Sequence, residues 1–581
     1  MTDNAKIITN INQYFHNAGI KQESRFDILV DILKNNETER NTEPVGRSVS
    51  ARSVREERAT GTTINQVLYQ SIRESLNILD YTNKDLIQEL FMKIGSKYTK
   101  FKLDQFYTPL TLSYFISTFM DPTKNAIDPA GGTGDLLLYF KGTKTIWDID
   151  ENSLKLCLFN YQLNQQSDYN LQCKNSLVDF EEGSSQYSYV TMNPPFGSST
   201  NITDKNILDK YNLGKNKKKQ EIGILFLELG MKLLKDDGIL FIIVPSGYIG
   251  NKNNIYVELR DFILQHKIIA LLELPKNTFK RSGTGVNTYL LIIQKTPIKP
   301  PPYEIFISGV DNIGYDLCKK DTPIIYKINE TTGDILYDIL GNPIRNNDLD
   351  IISTKIQQFC IKNNIQNTKI CSIGTTGDIY QNYEYVMSNQ LDQNILDIKR
   401  YKNLYKDVVQ QIISNSSFKK ICDMSQVIKK ITKIDKTIKY KYIDIGQITT
   451  PLYGYSEMYG WNLPSRAKYT VQKYDILVSK LEGNISYCVI LDDEPNIIAT
   501  NGVAVLRPNS MDDLYILFSN IMKKPFQIQH SSFTTGSIMA SLTDEDIGNM
   551  YIDLNQDIQQ SKKIVETLYF LVKLQKHKLQ V

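Results

Sequence analysis

Residues 126–135 read Ala126-Ile127-Asp128-Pro129-Ala130-Gly131-Gly132-Thr133-Gly134-Asp135, followed by the apolar run Leu136-Leu137-Leu138-Tyr139-Phe140. This is a strand ending in an acid, then a glycine-rich turn, then the start of a helix. Glycines let backbone approach a ligand closely, and Asp128 can receive a ligand ammonium group or hold a water that does. A plain turn is the bland alternative. A dinucleotide site is the other, but the spacing is not GxGxxG and no phosphate-binding lysine follows. The next strand, Lys144-Thr145-Ile146-Trp147-Asp148-Ile149-Asp150, ends in acids about 20 residues later, where carboxylates can take both hydroxyls of a ribose. Asp148 is the first candidate for that role and Asp150 the second; a solvated acidic pair is the alternative. Strand and helix patterns alternate to about residue 295, which predicts an α/β fold with a mostly parallel, doubly wound sheet.

Some 60 residues downstream of the glycine turn, the stretch Tyr187-Ser188-Tyr189-Val190-Thr191-Met192 runs into Asn193-Pro194-Pro195-Phe196. An exocyclic amino group on a nucleobase is a poor nucleophile, because its lone pair is delocalised into the ring. The Asn193 side-chain carbonyl and the Pro194 backbone carbonyl can each accept one of its hydrogens and free that lone pair. Pro194 and Pro195 stiffen the turn, so the acceptors are in position before substrate arrives. Phe196 offers a flat face for an extruded base. An ordinary strand-ending turn is the competing reading.

Taken in order, these segments resemble the gamma-type amino-methyltransferases that use S-adenosylmethionine, and more narrowly the modification subunit of type I restriction–modification systems. Gln105-Phe106-Tyr107-Thr108-Pro109 is similar to the aromatic-Thr-Pro element ahead of the family's glycine loop. That loop is followed here with Gly131 where a cysteine is common. Gly238 to Ser246, Phe279, Gly285 to Ile293, and Glu304-Ile305-Phe306-Ile307 leading to Gly314-Tyr315 continue the likeness, which covers roughly residues 65–330. The resemblance implies S-adenosylmethionine as cofactor, held by Tyr107, Thr108, Pro109, Asp128, Ala130, Gly132, Thr133, Gly134, Asp148 and Asn175. It implies Asn193, Pro194, Pro195 and Phe196 as catalytic residues. Asn175, in Lys174-Asn175-Ser176-Leu177, stands where the family usually has aspartate; its amide oxygen could still meet the cofactor's adenine amino group. Asparagine first and phenylalanine last favour adenine N6 over cytosine N4, as a family tendency. The sulfonium is already an activated leaving group, so the site must supply alignment and carbonyls that stabilise charge developing on nitrogen. An amino group inside a duplex cannot reach such a pocket, so base flipping is implied.

Composition narrows the rest. In 581 residues the net charge is only +3, so a nucleic-acid surface must be a local patch. Seven cysteines without a CxxC pair and four scattered histidines indicate neither a metal site nor a disulfide framework. With no long apolar run or signal peptide, the expectation is a soluble, cytoplasmic protein.

Residues 1–40 carry apolar residues at helical spacing (Ile7, Ile8, Ile11, Tyr14, Phe15, then Phe26, Leu29, Ile32, Leu33), and residues 41–62, with Pro44, Gly46 and four arginines, read as a linker. The expected division is 1–62, helical segment and linker; 63–104, helical start of the methyltransferase; 105–300, catalytic core, closed by the proline run ending at Pro302; 301–410, a connecting region. Beyond 410 short strands dominate. Tyr440 to Gly446, Leu463-Pro464-Ser465-Arg466-Ala467-Lys468, Tyr474 to Lys480 and Ala499 to Pro508 resemble one target recognition domain of a type I specificity subunit, with Tyr474 where glycine is usual. This gives an α+β domain over 411–555 and a terminal spacer helix over 556–581. Between residues 419 and 480 there are twelve basic side chains against five acidic ones, with tyrosines interleaved. That suits phosphate contacts with base readout from loops, although a solvated face would explain the charges alone. Lys441, Ser465, Arg466, Lys468 and Lys480 are the candidate contacts to double-stranded DNA.

In the tail, Ile564, Leu568, Leu571 and Leu574 fall near heptad spacing. In the family such a helix pairs with another like it, so a homodimer is one expectation and a core-packing helix the other. The segment before residue 63 leaves no room for a typical nuclease, so cleavage would come from a separate restriction endonuclease. An rRNA or protein-glutamine methyltransferase, and a catalytically silent accessory subunit, are the competing functions.

Overall fold

The computed structural model describes residues 3–21, 25, 28–29, 31–32, 66–78, 107–181, 183, 185–195, 201–280, 285–319, 322–338, 343–365, 382–391, 395–414, 417–483, 485–491, 493, 495–536, 540–555 and 558–578. Two compact units result: Met1–Tyr248 with Asn253–Asn394, and Ile249–Lys252 with Ile395–Val581.

The first unit is built on a nine-stranded mixed sheet. Its strands are β1 (Asn125–Asp128), β2 (Thr143–Asp148), β3 (Tyr169–Cys173), β4 (Tyr187–Met192), β5 (Leu234–Pro245), β6 (Lys267–Glu273), β7 (Thr288–Gln294), β8 (Glu304–Gly309) and β9 (Tyr383–Met387). Their spatial order is β9-β8-β6-β7-β5-β4-β1-β2-β3. β1 pairs in parallel with β2 and β4, β2 with β3, and β4 with β5. β7 runs antiparallel between β5 and β6. The chain thus steps outward from β1 to β3, then returns to the opposite side of β1 as β4. Such a reversal opens a crevice at the carboxyl ends of the strands.

The central strands are apolar without a break because helices cover both faces: Ile239 to Val244 are all 1% exposed or less. Helix α5 (Ile222–Leu233) packs against β4 and β5, and helices α3 (Leu110–Ser117) and α6 (Leu349–Lys362) bring Phe115, Ile116, Ile352, Ile356 and Phe359 into one cluster with Phe241 and Ile243. At the amino end, α1 (Asp3–Asn17) and α2 (Gln66–Asn77) pack Ile8, Ile11, Phe15, Ile72 and Leu76 with Leu156 of α4 (Glu151–Leu163), and Tyr107 leans on that cluster. The expected linker, and most of the expected helical stretch 63–104, lie outside the described residues.

Two expectations about this sheet need correction. The helix start after Gly134 is a single 3-10 turn, Asp135–Leu137, because β2 begins at Thr143 and leaves no length for a crossover helix. The sheet also does not close at the proline run. Pro300-Pro301-Pro302 only interrupts it, since proline cannot donate to a central ladder. The chain then re-enters as β8, parallel to β6, and β9, antiparallel at the edge. Much of the supposed connecting region is therefore part of the catalytic unit.

The second unit contains two four-stranded sheets. Its strands are β10 (Ser425–Val427), β11 (Lys439–Ile443), β12 (Ser456–Tyr459), β13 (Ala467–Thr470), β14 (Ile476–Ser479), β15 (Tyr487–Val489), β16 (Ile497–Thr500) and β17 (Val503–Pro508). They assemble as β10-β17-β14-β15 and β12-β11-β16-β13. The segment Ala499 to Pro508 spans two strands: the Asn501-Gly502 turn passes the chain from one sheet to the other. Tyr474, where glycine is usual, sits at φ 73°, in the left-handed region. Helices α7 (Met511–Ile521), α8 (Lys524–Phe533) and α9 (Ile558–Lys578) share a core with β14 and β17, and Val565 and Leu568 of α9 are buried in it. Among the described residues no helix is long and apolar enough to cross a membrane, and no cluster of His, Cys, Asp or Glu could hold a metal ion.

Candidate active site and DNA-binding face

A cavity of about 260 Å³ opens at the carboxyl ends of β1 to β4. Of the residues expected around a cofactor, Tyr107, Thr108, Asp128, Ala130, Gly132, Thr133, Asp148 and Asn175 line it, as does Asp150. Asn193 and Pro195 line it too. Pro109, Gly134 and Pro194 are not among its lining residues. Pro109 is the N-cap of α3, Gly134 closes the glycine turn, and Pro194 is buried. Phe196 lies outside the described residues.

Hydrogen bonds fix the loops to one another. The Gly131 N–H donates to the Trp147 carbonyl (3.0 Å), and the Gly132 N–H to Asp148 Oδ2 (2.8 Å). Ser176 Oγ donates to the Pro129 carbonyl (2.6 Å). The two acids at the end of β2 have separate tasks. Asp150 caps α4, accepting from the Ser153 N–H (3.0 Å) and hydroxyl (2.7 Å). Asp148, with each oxygen accepting one backbone N–H, keeps lone pairs for a ligand. Asn175 Oδ1 accepts the Leu177 N–H (3.1 Å) and keeps a second lone pair. The Asn193 amide donates from Nδ2 to Thr108 Oγ1 (3.2 Å), which sets its orientation.

The electrostatics are lopsided. Asp128, Asp135, Asp148 and Asp150 line the cavity, and Lys174 is the single cationic residue among its lining. Burial pushes the Asp128 carboxyl up to about 8, against a lowering hydrogen bond from the Ala130 N–H and with the Asp148 and Asp135 charges adding to the rise. Burial likewise raises Asp148. Asp135, which sequence reasoning quoted but gave no role, accepts from Thr133 Oγ1 (2.8 Å) and Asn160 Nδ2 (3.2 Å). Lys174, whose Nζ stands 3.5 Å from the Trp147 ring centroid, was also missed. The apolar wall of Ile202, Ile207, Ile222 and Phe226 had no local signal, because those residues are brought in by tertiary packing.

Gly134 shows how tight the loop is. It sits at φ 76°, and a Cβ there would lie 2.5 Å from Cys157 Sγ and 2.8 Å from the Tyr161 ring. Gly134→Ala is expected to destabilise the unit by roughly 2–5 kcal/mol, combining left-handed strain with overpacking. Urea denaturation of the full chain measures this; an unchanged midpoint would mean the turn relaxes freely.

In the second unit, Ser465 and Arg466 are exposed on the segment entering β13, and Lys441 and Lys468 are half-buried. Arg466 pairs with Asp444 (2.6 Å) while remaining 58% exposed. Lys441 Nζ lies 4.7 Å from the Tyr455 ring centroid. Lys480 differs from the rest: 11% exposed and paired with Asp544 (3.0 Å), it is engaged in holding the fold.

A mixed sheet with an acid-lined cavity where its strand order reverses places the first unit among α/β folds that bind ligands at such a switch point. Residues 83–322 match the N-6 DNA methylase family, and residues 413–581 match the type I restriction modification DNA specificity domain. The chain is thus an N6-adenine DNA methyltransferase domain joined to a type I specificity domain. No curated protein matches the sequence. Among solved structures, the type IIG restriction endonuclease BpuSI is 12% identical, with 97% of this chain and 72% of that one covered at a TM-score of 0.46. The type I methyltransferase subunit from Streptococcus thermophilus is 15% identical over 62% of this chain and 79% of its own, at 0.38. The M protein of the type I restriction enzyme EcoKI is 17% identical over 56% and 74%, at 0.31.

Proposed function

We propose that the cavity holds S-adenosylmethionine and that the end of β4 presents Asn193 and Pro194 to the N6 amino group of an adenine turned out of a duplex. The observation that carries this reading is the excess of carboxylates. A cavity with Asp128 and Asp135 buried and Asp148 half-buried around it, and one lysine in its lining, is suited to a ligand bearing positive charge. When bound, the cofactor supplies a methyl group on a sulfonium. Asp128 pairs with the ammonium end, directly or through water, and Asp148 takes the ribose hydroxyls. Asn175, whose Oδ1 accepts the Leu177 N–H, has a second lone pair on that oxygen for the adenine amino group and its Nδ2 to donate to a ring nitrogen. Because Nδ2 of Asn193 is tied to Thr108, its Oδ1 is the acceptor for one hydrogen of the target amine, and the Pro194 carbonyl accepts the other. Both stabilise the positive charge that develops on nitrogen during attack.

The second unit reads the DNA, with Lys441, Ser465, Arg466 and Lys468 at its contact face. Helix α9 buries Val565 and Leu568 in its own unit but leaves Phe570 66% and Leu571 43% exposed. That split supports pairing with a second copy through its far end. A symmetric pair would read an inverted, two-part target.

Expression in a methylation-free bacterial host, followed by sequencing of the DNA for modified adenine, tests the reading. The expected result is N6-methyladenine in one recurring context, absent with Asn193→Ala. A split palindrome signifies a dimer and a one-sided site a monomer. Cofactor-binding protein that leaves the DNA unmodified would overturn the reading of a self-sufficient DNA enzyme.

A further inference from the structure

Tyr459 and Trp461 form an exposed aromatic platform on the second unit. The indole is 68% exposed and the phenol 49%. Their rings are nearly parallel, 10° apart, with centroids separated by 6.4 Å. Two large rings left this open to water form an exposed apolar patch, and such patches mark contact surfaces.

The backbone beneath them is fixed. β12 ends at Tyr459, and the 3-10 turn Gly460–Asn462 presents Trp461. The Gly460 N–H donates to the Ile438 carbonyl (2.9 Å) and the Trp461 N–H to that of Lys436 (3.3 Å). A Cβ at position 460 would overlap the Asp435 carbonyl oxygen, so glycine is required for this close approach. The facing turn is closed by the Asp435 carboxylate, which accepts from the Thr437 N–H (2.9 Å) and hydroxyl (2.7 Å). Little conformational entropy remains to be lost when a ligand meets the rings.

The charge around the platform identifies the ligand's class. Lys429, Lys430, Lys433 and Lys436 are exposed, and none is in an ion pair with another described residue. Lys439, the cross-strand partner of Tyr459, is paired with Glu457 (2.6 Å). A second copy of this chain would bring the same positive patch against itself and be repelled. A polyanion whose base steps open to an apolar wedge satisfies both features, and duplex DNA is that polyanion.

We propose that the Tyr459–Trp461 pair is a DNA-contacting element of the recognition unit, with Trp461 packed against a base step and Lys433 and Lys436 on neighbouring phosphates. The proposal rests on the DNA-methyltransferase reading and deepens it by naming the face that meets the duplex.

The chain has two tryptophans, and Trp147, in the first unit, is 6% exposed. In full-length Trp147→Phe protein, Trp461 is therefore the single indole reporter. Acrylamide is expected to quench it readily, and sheared unmethylated genomic DNA at saturation to lower the quenching constant at least about twofold, as stacking removes a ring face from solvent. In the otherwise native chain, Trp461→Ala is expected to weaken DNA binding about tenfold or more and to raise KM for DNA in step, with kcat held within about twofold. If the native chain binds and methylates DNA while Trp461 stays equally quenchable and Trp461→Ala keeps its KM, this proposal fails and the methyltransferase reading stands. Protection that grows with protein concentration alone, without DNA, would indicate self-association and overturn it. Native protein that neither binds nor methylates DNA would overturn both.

Discussion

Asn193→Ala should lower kcat by roughly 10²–10³ or more, while cofactor affinity and the unfolding midpoint stay close to those of the native chain. The asymmetry follows from what the side chain does at each stage. Toward the fold its Nδ2 donates to Thr108 Oγ1 at 3.2 Å, a bond whose loss costs about 1 kcal/mol. Toward the target amine its oxygen matters most as the nitrogen becomes positive, so truncation removes stabilisation belonging to the transition state. Single-turnover methylation with cofactor in excess separates this from binding. A variant within a few-fold of the native rate would mean the amide is not the acceptor.

The second large effect concerns Asp128 and pH. Its carboxyl titrates near 8 in the folded chain, against 3.8 when exposed. The folded form therefore holds a proton that the unfolded form has released between those values. Stability of the cofactor-free protein should fall as pH rises from about 4 to 8, by up to about 1.4 kcal/mol per pH unit from this group, and level off above 8. A cation in the cavity reverses the preference by pulling Asp128 into its charged form. S-adenosylmethionine binding at pH 7 should release a proton, and affinity should rise toward pH 8 and then flatten. Asp128→Asn keeps the neutral shape and cannot ionise. It is expected to flatten the stability profile, leave the cofactor-free protein as stable or more so at pH 8, and weaken cofactor binding about a hundredfold, in keeping with the loss of a buried, charge-assisted contact. Calorimetry in two buffers of different ionisation enthalpy reads the proton directly. Equal apparent enthalpies in the two buffers, with no pH dependence of affinity, would show that Asp128 does not change charge.

The quoted segments that the structure gathers around one cavity carry local signals. The acid, glycine turn and second acid follow from what backbone must do near a ligand, and Asn193-Pro194-Pro195 follows from the chemistry of an amide acceptor on a stiff turn. What escaped was set by residues distant in the chain. Pro300 to Pro302 look like a terminus, yet β8 finds its parallel partner β6 some 30 residues earlier, a pairing no local pattern encodes. The sheet change at Asn501-Gly502 was hidden because both flanking segments are apolar. Asp148 and Asp150 could only be ranked on paper, first and second; helix α4, starting at Glu151, engages Asp150 as its cap. Lys480 sits in a basic stretch like its neighbours, and Asp544, 64 positions later, withdraws it. Asn175 could be placed beside the adenine by resemblance, but which of its amide atoms is spoken for depends on the turn made by Leu177.

One arrangement at the amino end bears on how the enzyme responds to its cofactor. Ile8, Ile11 and Phe15 share a cluster with Leu156 and Tyr107, and Tyr107 is also a wall of the cavity. The opening of the first helix and the filling of the cavity are then linked equilibria, each biasing the other by the same factor. Amide protons of residues 7–15 should exchange with solvent more slowly once the cofactor is bound, although no ligand atom comes from that helix. A stretch of chain with no residue in the chemistry would in this way report, on the timescale of hydrogen exchange, whether the enzyme is loaded.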